Sequence, residues 1–81
     1  MELRDTINMM TSEDYKERLK AEYFQAEIRY NKLESMLDKW DKGELIFVPD
    51  CPKALLEVQM YAMGEYLDVL KQRAKFEDIE I

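Results

Sequence analysis

Between Tyr15 and Trp40 the apolar residues fall at Tyr15, Leu19, Tyr23, Ala26, Tyr30, Leu33, Leu37 and Trp40. After the first two intervals of four, the steps alternate between three and four, which is the seam of an amphipathic helix. No glycine or proline interrupts it, so the pattern predicts one helix from Glu13 to about Lys42, with a seam ~40 Å long at 1.5 Å per residue. The stretch "TSED" supplies a start signal: Thr11 as cap, Asp14 three residues on as its capping-box partner, and acids in the first turn. Gly43 supplies the stop. Phe24 and Ile28 lie off the seam and predict a second, shorter contact face.

The connector "ELIFVPDCP" reads as extended, with Leu45, Phe47 and Val48 expected to fold back over the hairpin end. Pro52 suits the first turn of a second helix, capped near Asp50 or Cys51. That helix is predicted over Lys53 to Phe76, followed by "EDIEI" as a frayed acidic tail. Residues 1–11 carry no clear period and read as an N-terminal arm or short helix, leaving 12–81 as the helical-hairpin domain. Two long helices with a short connection must run antiparallel, so the expected fold is an all-α, antiparallel αα-hairpin.

The second helix carries two stripes. Leu56, Met60, Met63, Leu67, Leu70 and Ala74 can pack on the first helix. Leu55, Gln59, Ala62, Tyr66, Val69, Arg73 and Phe76 would then face water in a lone hairpin. Exposed apolar area of that extent marks an interface, so the hairpin is expected to form a homo-oligomer.

Composition narrows the chemistry. A single cysteine, Cys51, excludes an intrachain disulfide and suits a reducing cytoplasm, and with no histidine present neither a metal centre nor a nucleophile–base pair can be assembled in the usual way. No catalytic residue, metal or cofactor is therefore assigned. Charged residues make up 37% of the chain and no apolar run approaches spanning length, which excludes a transmembrane segment. The net charge of −6 argues against DNA but leaves room for a small anion held by local cations.

Candidate binding residues follow from the seam. Tyrosine hydroxyls need partners, so a tyrosine-rich stripe suits a partly wet interface or stacking on a flat base. Lys16, Arg18, Lys20, Arg29 and Lys32 accompany those aromatics. Arg73 shares a register with Tyr66, Val69 and Phe76, and must find a carboxylate, a carbonyl or a phosphate. An intersubunit ion pair would satisfy it, and so would a bound phosphate. Gly64, in mid-helix, costs about 1 kcal/mol relative to alanine, and it either is tolerated or admits a close neighbour.

The segments "ERLKAEYFQAEIRYNKLESML" and "LLEVQMYAMGEYLDVLKQR" resemble the helical-hairpin domain of phage anti-CBASS sponge proteins, which also occurs in some anti-Thoeris sponges. The matching features are E-R-L and K-L-E on the first helix, then Gln59, Met63, Tyr66, Leu70 and Arg73 in a Q-x-x-x-M-x-x-Y-x-x-x-L-x-x-R pattern, over about residues 12–77. The resemblance implies a non-enzymatic protein of the host bacterial cytoplasm. It implies a small symmetric oligomer, commonly a hexamer, whose intersubunit pockets sequester cyclic di- or trinucleotide or cyclic ADP-ribose-type signals. It also implies that Arg73 grips phosphate, with Tyr15 and Lys32 on the first helix (or Tyr23 and Lys20) contacting base and phosphate. Tyr66 and Gln59 would line the pocket. The second expectation is a coiled-coil adaptor or direct protein-binding inhibitor with no nucleotide ligand.

Overall fold

The structure, a computed structural model, describes Met1–Ile81. One turn of 3₁₀ helix (Leu3–Thr6) runs into α1 (Ile7–Met10), followed by α2 (Tyr15–Asp41) and α3 (Lys53–Phe76). The two long helices pack against each other as an antiparallel hairpin, and the segment before α2 lies against α2.

Local chemistry sets each boundary. Asp14 is the N-cap of α2: its backbone is extended and its carboxylate accepts from the Lys16 amide at 2.9 Å. The helix therefore starts two residues later than Glu13. Thr11, expected as the cap, instead donates its hydroxyl to the Ile7 carbonyl at 3.1 Å and closes α1. Aspartate is at least as good a cap as threonine, and the later position frees Thr11 for the preceding turn. Ser12 Oγ accepts from the Asp14 amide at 3.1 Å and fixes the corner between the two.

At the other end of α2, Gly43 stands at φ +72°, with its amide on the Trp40 carbonyl at 3.1 Å and the Glu44 amide on the Lys39 carbonyl at 2.8 Å. Those two bonds make a Schellman stop, which needs the left-handed residue that glycine supplies cheaply. α3 begins at Lys53 as expected, but its cap is Pro52 itself, at ψ 138°. The Pro52 carbonyl accepts from the amides of Leu55 (3.1 Å) and Leu56 (3.3 Å), so neither Asp50 nor Cys51 is needed as a cap.

The core joins Leu19, Tyr23 and Ala26 of α2 to Leu67, Leu70 and Ala74 of α3, with Phe24 and Tyr30 packed at its border. Leu70 is 1% exposed, a burial that contributes about 2–3 kcal/mol. A seventh core member comes from the C-terminal segment: Ile79 is buried, and its amide donates to the Ala74 carbonyl at 2.8 Å. The frayed tail expected from "EDIEI" is thus corrected. Asp78 takes φ +56° and turns the chain back, which lets Ile79 cover the end of α3.

The connector departs from expectation in the opposite sense. Leu45 is half-buried, but Ile46, Phe47 and Val48 stand exposed, Val48 at 88%. The hairpin end is already closed by Lys53, which pairs with Asp41 and lies 6.0 Å from the Trp40 ring centre. Phe47 and Val48 border a small concavity with Trp40 and Leu45 rather than filling it, which leaves them exposed.

Candidate functional site

With the first stripe of α3 buried or half-buried against α2, the second is left on the surface: Leu55, Gln59, Ala62, Tyr66, Val69 and Phe76 are all exposed, Phe76 at 89%, and Arg73 is half-exposed. Its polar members do not stand alone. Antiparallel register brings the start of α2 beside the end of α3, and there two hydrogen-bonded pairs cross between the helices.

In the outer pair, Arg73 Nη2 donates to Tyr15 Oη at 2.7 Å, while Arg73 Nε lies 3.5 Å from Glu77 Oε2. Arg18 stacks its guanidinium 5.9 Å from the Tyr15 ring centre and donates to the Ser12 carbonyl at 2.8 Å. In the inner pair, the Tyr66 hydroxyl donates to Glu22 Oε2. Tyr15 and Glu22 are seven residues apart, as are Tyr66 and Arg73, so the pairs form two rungs separated by about 10 Å along the hairpin.

The electrostatics are balanced. The ladder holds two guanidiniums (Arg18, Arg73), two carboxylates (Glu22, Glu77) and two phenols (Tyr15, Tyr66). The Tyr15 oxygen, followed by the carboxylates of Glu77 and Glu22, raises the Arg73 pKa above its ordinary value, so the guanidinium is a permanent cation. It is a cation already oriented at the surface, which suits it to a phosphate oxygen. No three Asp, Glu or Cys side chains converge to hold a metal ion.

The expected residues are therefore divided. Tyr15, Tyr66 and Arg73 share the ladder. Gln59 continues the α3 register one step further, exposed, with its amide 3.8 Å from Met63 Sδ. Lys32 is exposed and makes no ion pair; it sits about 25 Å along α2 from Tyr15, so one protomer does not bring the two together. Of the substitutes, Tyr23 is in the core with its hydroxyl on Glu27 at 2.8 Å, and Lys20 pairs with Glu17 at 3.4 Å. Sequence reasoning missed Glu22 and Glu77, and named Arg18 only among the cations. The available signal was the repeat of seven from Tyr15 to Glu22, matching that from Tyr66 to Arg73.

Apart from the ladder, a concavity of about 510 Å³ opens between the helices, lined among others by Tyr30, Tyr61, Gly64, Asp68 and Lys71. A Cβ placed on Gly64 would lie 3.5 Å from Tyr30 Cε2, ordinary van der Waals distance.

Comparison with known proteins bears on the same stretch of chain. No curated protein and no solved structure gives a significant match. The family model for Sequestin matches residues 13–76, which takes in both long helices and every residue of the ladder except Glu77. The chain belongs to the Sequestin family.

Proposed function

We propose that this protein is a non-enzymatic phage anti-defence sponge that sequesters a cyclic oligonucleotide, or a related nucleotide immune signal, in pockets formed between subunits. The observation that carries the reading is the surface ladder in which Tyr15, Tyr66 and Arg73 meet on an otherwise apolar, uncovered stripe of α3. Membership of a family named for sequestration supports it, as does the sponge resemblance of the two helices. A stripe of this kind is stabilised by burial against other copies, and assembly would place its polar members within pocket walls rather than in open water. On this reading the protein binds its signal and performs no reaction. Lys32, distant from Tyr15 in one protomer, would reach the same ligand from a neighbouring subunit.

The test is a thermal-shift panel of cyclic di- and trinucleotides, linear dinucleotides and cyclic ADP-ribose isomers, run alongside sedimentation of the free protein. The expected result is a discrete oligomer whose melting temperature rises with one nucleotide class, because a ligand that binds only the native state stabilises it. An intact oligomer unmoved by every compound would replace the sponge with the protein-binding adaptor or inhibitor. A monomer at micromolar concentration would remove the intersubunit pocket.

A further inference from the structure

The concavity of about 510 Å³ takes no part in the ladder and lies on another side of α3. Tyr61, Gly64, Asp68 and Lys71 follow one another at three- and four-residue spacing, so they share one face of the helix. At about 100° per residue, that face is turned roughly half a circle from the stripe of Tyr66, Val69 and Arg73. Gly64 stands at its centre. Alanine there would meet Tyr30 at ordinary contact distance, so the packing of α3 on α2 does not demand glycine. What glycine does is keep the concavity open, at a cost in helix propensity.

The same face is complementary to its own reverse. Glu57 lies seven residues before Gly64 and Lys71 seven residues after it, about 10 Å to either side along the helix. Both are exposed, and neither makes an ion pair within the chain. Tyr61 and Leu67 stand three residues to either side, and Tyr61 is 74% exposed. Two copies of α3 crossing antiparallel at Gly64 would therefore set each Glu57 against the Lys71 of the other copy, as two ion pairs related by one two-fold axis. The crossing would also bring each Tyr61 onto Leu67 and Asp68 of the other copy, where the ring fills the concavity and the hydroxyl meets a carboxylate. A parallel crossing would oppose Lys71 to Lys71 and Glu57 to Glu57. Charge thus selects the antiparallel arrangement, and glycine at the crossing point lets the backbones approach.

We propose that the face of α3 centred on Gly64 is a two-fold interface with a second copy of this chain, held by reciprocal Glu57–Lys71 pairs, with its concavity occupied by Tyr61 of the second copy. It is a different contact from the one on the uncovered stripe of α3, and it does not depend on which signal is bound.

Sedimentation equilibrium of the full chain tests it, with Lys71→Glu, Glu57→Lys and the double exchange. Each single change sets like charges together twice across the axis and should weaken association about tenfold. The double exchange restores both pairs with their signs reversed, and should return association to within about threefold of the unaltered protein. Net charge provides the control. Lys71→Glu takes it from −6 to −8 and Glu57→Lys from −6 to −4, so general repulsion would make the two single changes act in opposite directions. Both positions are exposed, and circular dichroism of each variant will confirm folding. Opposite effects of the single changes, no effect of either, or a double exchange that fails to restore association would overturn the interface. The thermal-shift panel on the same variants separates this result from the sponge reading. An assembly indifferent to the exchanges that still gains stability with a nucleotide would overturn the interface alone. A monomeric unaltered protein would overturn the interface and the intersubunit pocket together.

Discussion

Arg73 donates through Nη2 to the hydroxyl of Tyr15 at 2.7 Å, joining two residues that lie 58 positions apart in the chain. The contact ties the last turn of α3 to the first residue of α2, and it leaves the guanidinium on the surface with its charge shared among Tyr15, Glu77 and Glu22. Such a cation does little for the free fold, and on the proposed reading it serves a bound anion.

That asymmetry gives a first prediction. Arg73→Ala should leave the stability of the free protein nearly unchanged, because an exposed pair is screened by solvent. Loss of a hydrogen bond to charged phosphate should instead weaken nucleotide binding by about tenfold to a hundredfold. Titration calorimetry and urea unfolding on the same preparation measure the two quantities. An affinity unchanged by the substitution would remove Arg73 from the site.

The C-terminal turn makes a second. Asp78 holds a left-handed conformation that a side chain disfavours. Asp78→Gly should stabilise the protein by about 0.5–1 kcal/mol. Ile79→Ala, which empties part of the core, should cost about 2–4 kcal/mol. Urea midpoints check both, and an Ile79 variant as stable as the parent would mean that the tail does not hold the core.

Gly64 separates the needs of one protomer from those of an assembly. Alanine fits beside Tyr30 at 3.5 Å, so the lone hairpin should gain about 1 kcal/mol of helix propensity from Gly64→Ala. If a neighbouring subunit approaches α3 closely at this point, the same change weakens association. Sedimentation equilibrium beside thermal unfolding distinguishes the cases: a higher melting temperature with unchanged assembly means that the glycine is merely tolerated.

Tyr23 sets the alkaline limit. Burial first, and then the hydrogen bond to Glu27, push its pKa up to about 12 from the ordinary 10.0. Below pH 10 the phenol is protonated in both folded and unfolded chains, and its contribution is fully present. Between about 10 and 12 the unfolded chain releases the proton more readily, so stability falls as pH rises, by about 1–2 kcal/mol in all. Tyr23→Phe should flatten that part of the profile in pH-dependent urea unfolding.

The helices could be read from the sequence because their signals are local. Pro52 and Gly43 punctuate the chain, the alternation of threes and fours marks the face of α2 that is buried, and Lys53 to Phe76 is helical as the pattern predicts. What could not be read depends on register between distant segments. Ile79 belongs to the core only because Asp78 turns it onto Ala74. Val48, equally apolar, is left exposed at the rim of a concavity it shares with Trp40, Leu45 and Phe47. Within the site, Arg73 and Tyr66 stood out as polar residues on an apolar stripe. Glu22 looked like any other surface acid until the antiparallel packing set it beside the Tyr66 phenol, whereas Glu77, four residues on from Arg73, was legible as a helical ion-pair partner.

The separation of the ladder from the connector has a practical consequence. The molecule extends 43 Å along its longest axis; the C-terminal segment lies at the ladder end, and the connector turns at the other. A purification tag at the C-terminus would crowd Arg73 and Glu77. A fluorophore is better attached at the far end, where Cys51 offers a half-buried thiol and the sequence contains no other. One dye per protomer, remote from the ladder, would let energy transfer report whether copies assemble, how many they are, and how a candidate nucleotide changes their exchange.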